Sequence, residues 1–142
     1  MDTLDNNLSV EGVAINSKIS DYLKETAKWT NFLSIIGFVM IGLMVIGAFV
    51  IIVVGSSFGG GQATAGGLAY LLIALLYFFP ILYMYNFSKK IKIGLNSSIQ
   101  SDIELAFENL KKMFKYMGVL MIVILSIYAI AFLFIGAIAA SI

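Results

Sequence analysis

Polar and apolar positions segregate by segment along this chain. Charged residues occur only within residues 2–28 and 89–115. From Trp29 to Ser88, 60 residues pass without one Asp, Glu, Lys or Arg, and from Tyr116 to Ile142 another 27 do so. A spanning helix needs about 20 apolar residues. The first stretch therefore accommodates two spans and a turn, the second a single span. The expected spans are about 31–54, 68–87 and 117–137. At about 1.5 Å per residue the first would reach about 36 Å, enough to cross a bilayer with some tilt. Between spans one and two lies GSSFGGGQATAGG, residues 55–67, with six glycines and no charge. That composition reads as a flexible loop.

The charged blocks read as helical extensions of these spans, about 17–30 and 88–116. Ile19, Tyr22, Leu23, Thr26 and Trp29 recur at helical spacing, which predicts an amphipathic turn-by-turn stripe. Residues 1–16 read as frayed. Span two can run on through SKKIKI to Gly94, a natural residue to end a helix. Ser101-Asp102-Ile103-Glu104 has the form of a capping box. Ile103, Phe107, Leu110, Phe114 and Met117 follow as an apolar stripe, and Glu108 can pair with Lys112 one turn on. One helix is expected from about 102 to 137, with GLNSSIQ as the tip of a helical hairpin. The stripe is expected to pack on the 17–29 helix through Ile19, Tyr22 and Leu23. Phe107 would then hold a layer that displays Lys111, Lys112, Lys115 and Glu108 to partners. Whether the extensions lie on the membrane or project from it is left open by the sequence.

Composition sharpens the class. The chain has 142 residues, 61% of them hydrophobic and 12% charged, with a mean hydropathy of +0.99. A small soluble domain buries too little surface to hide so much apolar area, and disorder requires low hydrophobicity. The expected class is all-α and integral to a membrane, with three transmembrane helices. All nine basic residues are lysines, and under a three-span topology all nine fall on one side. The positive-inside rule then places the N-terminus and the 88–116 segment in the cytoplasm of a plasma (inner) membrane, the glycine-rich loop and C-terminus outside. Trp29, Phe32, Tyr83, Tyr85, Phe114 and Tyr116 collect at the same inner interface, as amphipathic rings do. Ala63-Thr64-Ala65 fits a small-x-small cleavage site, but a 24-residue apolar run preceded by about 30 mostly polar residues reads as an uncleaved anchor.

The segments AKWTNFLSIIGF, LLYFFPILYMYNFSKKIK and LAFENLKKMFKYMGVL resemble an uncharacterised family of small three-span bacterial inner-membrane proteins. The resemblance covers roughly residues 27–130. It implies the same architecture and supplies no site residues.

The chemistry on offer is sparse. There is no Cys and no His, and no Arg for bidentate phosphate recognition, so a metal site, a cofactor site and nucleic-acid binding are all unexpected. No nucleophile–base pair or phosphate loop occurs, and no catalytic residue is assigned. Lys89, Lys90 and Lys92 read as a topology signal in preference to a specific lipid site. Gly37, Gly42 and Gly47 share no face, while Ala65/Ala69 and Gly136/Ala140 match a small-xxx-small spacing. Pro80 should kink span two and free the Leu76 carbonyl. Tyr77 and Tyr128 fall near mid-membrane, where a hydroxyl needs a partner; both are expected to face the bundle interior, toward each other, backbone or Ser126. The expected function is a non-catalytic accessory or scaffold subunit acting through helix–helix contacts. The alternative is a pore or transport component formed by self-association. The partners expected are the lipid bilayer and other membrane proteins or a second copy.

Overall fold

The computed structural model describes residues 15–58 and 61–141. The expectation for residues 1–14 lies outside the described residues. The chain is all-α and consists of three long helices, α1 (Ser17–Phe58), α2 (Gly61–Ser97) and α3 (Gln100–Ser141). Each is long and apolar enough to cross a membrane. At about 1.5 Å per residue α1 and α3 reach about 63 Å and α2 about 56 Å, well beyond a 30 Å hydrocarbon layer. Each charged extension continues its span without interruption. It therefore projects from the apolar zone and does not fold back along its surface.

Local chemistry explains the ends. Asn16 caps α1: its Oδ1 accepts the Ile19 N–H at 2.9 Å. At the hairpin tip the Ile99 N–H donates to the Gly94 carbonyl at 3.1 Å, and Ser98 sits at φ 53°. This is the six-to-one bond and left-handed residue of a Schellman ending. Ser98, not Gly94, terminates α2. The expected capping box is also replaced, since Gln100 already belongs to α3 and its Nε2 donates to Glu104 Oε1 at 3.0 Å.

The glycine-rich segment is not a loop. Residues 55–58 finish α1 and 61–67 open α2, leaving only 59–60 between them, outside the described residues. The helices are long enough to continue past the apolar spans through this segment, and its backbone groups stay paired within them. Small residues also bring the two helices together here. A Cβ added at Gly55 would collide with Ala63, and one at Gly67 with Ile52 and the Ala48 carbonyl. Lower down, a Cβ at Gly37 would lie 2.8 Å from Ile81 Cδ1.

The helix order in space is α1–α2–α3. Both outer helices pack on α2, and among the described residues α1 and α3 make no close backbone approach to each other. The apolar core lies where all three overlap, in the extensions: Ala27 of α1, Phe87 and Ile91 of α2, and Ala106 of α3 are buried, ringed by Leu23, Leu95, Ile103 and Leu110. Its position follows from the solvent. Apolar side chains gain nothing by leaving lipid for each other, but they gain by leaving water. The expected direct packing of the 103–110 stripe on the 17–29 helix is therefore corrected. The stripe lies on the other arm of its own hairpin, and α2 stands between it and α1. Leu23 joins this core, while Ile19 and Tyr22 remain exposed.

Candidate functional site

The features that could serve function are the hairpin of α2 and α3 and the open surface above it. The hairpin is fastened at four levels. At its tip the Gly94 backbone lies against Ile103. One turn lower Lys90 Nζ pairs with Asp102 Oδ1 at 2.9 Å, with Asp102 largely covered. The Phe87 and Phe107 rings meet edge-on at 6.3 Å. Phe107 is 44% exposed, so it trims the edge of the core and does not hold its centre.

The fourth level answers the proline. Pro80 is buried in α2 and has no N–H to give the Leu76 carbonyl. Tyr116 of α3 supplies the missing donor, its hydroxyl bonding that carbonyl at 2.9 Å, with its ring beside Phe79 at 6.0 Å. The freed carbonyl was legible in the sequence; its partner was not. Tyr116→Phe should cost about 1 kcal/mol, the scale of such bonds between membrane helices. In a Pro80→Ala background, where α2 regains its own N–H, the same substitution should cost almost nothing. A double-mutant cycle of unfolding in mixed micelles measures this. Equal losses in both backgrounds would show that the hydroxyl serves another group.

A buried polar contact joins α1 and α2. Ser88 Oγ donates to the Tyr85 carbonyl at 2.8 Å and lies 3.4 Å from Asn31 Oδ1, while Ser34 Oγ donates to the Asn31 carbonyl at 2.8 Å. Ser34 and Ser88 are fully buried, and among the described residues no buried side-chain N or O lacks a partner. The sequence alone does not single out these short hydroxyls. Nothing in their spacing marked them as a pair.

The other sequence candidates separate. Tyr77 and Tyr128 are not brought together and do not face the bundle interior: they are 49% and 69% exposed. Ser126 bonds the Ile122 carbonyl of its own helix at 2.7 Å. The physical reason is the path of α3. Beyond Tyr116 it leaves α2, and every residue from 121 to 139 is exposed. Lys112 pairs with Glu108 at 2.8 Å on the exposed side of the hairpin, while Lys111 beside it is exposed. The Lys112 hydrogen bond and charge hold the Glu108 carboxyl below its ordinary value of 4.5, and the same contacts raise Lys112 above 10.5. The pair is thus fully present between those two values. It is lost as acid protonates Glu108 below its lowered value, and as base neutralises Lys112 above its raised one.

Among the described residues no group of three or more His, Cys, Asp or Glu is placed to hold a metal ion. The chain matches no family model, no curated protein and no solved structure.

Proposed function

We propose that this chain is a non-catalytic accessory or scaffold subunit that binds other membrane proteins through the outer half of α3. The observation that carries the reading is the exposure of every residue from 121 to 139, on a helix whose lower half is firmly fastened to α2. A helix fastened at one end and exposed along residues 121–139 offers apolar surface to another protein. The absence of Asp, Glu, Lys, Arg and His between Trp29 and Ser88 supports a structural role over ion transport, which uses such groups within the bilayer. The nine lysines support an orientation with the extensions in the cytoplasm and the C-terminus outside, and the resemblance of residues 27–130 to small bacterial inner-membrane proteins points to that membrane.

The test is isolation of the tagged chain from its native membrane in mild detergent. A stable complex with other membrane proteins is expected, and bulky substitutions along α3, such as Ala129→Trp with Ala131→Trp, should disperse it. Recovery of the chain alone from native membranes would overturn the reading. Ion conduction by the purified chain in planar bilayers would replace it with a self-associated pore. Orientation has its own measurement on this Cys-free background. An impermeant thiol reagent outside the cell should label Ser57→Cys and not Ser97→Cys; the reverse pattern inverts the topology.

A further inference from the structure

The lysines of the hairpin are partly engaged: Lys90 is paired with Asp102, Lys112 with Glu108, and Lys89 Nζ sits 4.6 Å above the Tyr85 ring. Those of α1 are not. Among the described residues neither Lys24 nor Lys28 has an ion-pair partner, although Glu25 lies beside them in sequence. These three residues, with Trp29 and Phe32, line an open groove of about 720 Å³ on α1. Leu23 and Ala27, on another flank of the helix, are occupied by the core.

The groove is ordered along the helix axis. Lys24, Lys28 and Phe32 follow at four-residue intervals, so they stack on one face, about 6 Å apart per step. Glu25 and Trp29 form the adjoining row. Charge therefore gives way to aromatic surface where the charged extension enters the apolar span. The Trp29 and Phe32 rings meet edge-on at 6.1 Å, and both are more than half exposed. At the polar end Lys24 and Lys28 face Glu25, while Asp21 one turn further out on the same face is offset by Lys18 beyond it, so one net positive charge remains. A ligand that matches needs one negative charge, an oxyanion able to span two ammonium groups, and a hydrocarbon tail leaving toward the apolar side.

We propose that this face of α1 binds one singly charged anionic phospholipid, with its phosphodiester between Lys24 and Lys28 and an acyl chain along Trp29 and Phe32. The lipid belongs to the leaflet on the side of the extensions, whichever membrane face that is. Its headgroup bridges successive turns of α1 just outside the span. The site is separate from the outer half of α3 and does not depend on the role proposed for it.

Trp29 is the sole tryptophan, so its fluorescence reports on this part of α1, and the lysine variants below assign the signal to the groove. The whole chain is reconstituted in phosphatidylcholine vesicles containing a minor fraction of phosphatidylglycerol, with the bromine quencher carried on the acyl chains of one lipid or the other. Brominated phosphatidylglycerol is expected to quench as though enriched about fivefold beside Trp29, the effect of one net elementary charge at a membrane surface. Lys24→Gln with Lys28→Gln should abolish the excess. Lys92→Gln with Lys115→Gln, which removes equal charge from exposed positions on α2 and α3, should preserve it. Excess inorganic phosphate should leave it in place, since the tail is part of the ligand. Equal quenching by the two brominated lipids overturns the proposal. So does an equal loss in both double variants, which would mean diffuse attraction to the lysine-rich side. Displacement by inorganic phosphate would also overturn it, by making the ligand a free anion.

Discussion

Ile91→Ala will loosen the charged end of the protein while leaving the apolar spans helical. Ile91 is fully buried at the one level where α1, α2 and α3 overlap, against Ala27, Phe87 and Ala106. Truncating such a side chain removes its transfer free energy and leaves a cavity, a loss of about 2–5 kcal/mol. The cavity cannot easily collapse, because its walls are set by helices that continue into the spans. Limited proteolysis should cut within 17–30 or 88–116, and amide exchange in those segments should accelerate, with little change inside the spans. Phe107→Asp should act in the same direction but less strongly, since that ring is only an edge contact. If Ile91→Ala leaves exchange in the extensions unchanged, the three-helix core is not what holds them.

Gly94→Leu should open the hairpin itself. A Cβ at this position would lie 2.6 Å from Ile103 Cγ1 and 2.9 Å from the Ile103 backbone N. The side-chain atom can rotate away, but the backbone atom cannot, so α2 and α3 must separate. Overpacking of this kind costs about 1–3 kcal/mol and occasionally more, against about 1 kcal/mol regained from better helix propensity. Separation would also stretch the 2.9 Å Lys90–Asp102 pair one turn away. Gly118→Leu is the matched comparison, because a Cβ there meets nothing within 4 Å. It should be neutral or slightly stabilising. Opposite signs for the two variants, read from unfolding in mixed micelles, are the expected result. Similar small effects would mean that the close approach at Gly94 contributes nothing.

Both expectations rest on small or central residues that the apolar pattern did not single out. In a water-soluble helix the apolar stripe marks the buried face. Within the spans lipid-facing and protein-facing sides are equally apolar, so the pattern marks no contact face there. In the α1 extension only Leu23 of the stripe joined the core, while Ile19, Tyr22 and Trp29 stayed exposed. Contacts instead fell to Ala27, Ala48, Ala74 and Ala106, which let helices approach closely. The glycine-rich 55–67 segment was misjudged for a related reason. Glycine composition signals flexibility, but here Gly55 against Ala63 and Gly67 against Ile52 let two helices approach closely and stay helical. The proline site was half legible: Pro80 identifies the Leu76 carbonyl by covalent geometry, whereas Tyr116 lies 40 residues away and is brought to it only by the hairpin register.

The sequence by itself determined the class, the number of spans and the separation of charged from apolar segments. These depend on transfer free energies that add along the chain, and on a helix length set by membrane thickness. Only the tertiary structure decided that α2 is central and that Ser98, not Gly94, turns the hairpin. It also decided that Tyr77 and Tyr128 face outward and that α3 leaves the bundle above Tyr116. Those outcomes turn on which helices touch and at what distance. Within an apolar solvent that choice is made by shape and by a few hydrogen bonds, neither of which leaves a periodic trace in the residues.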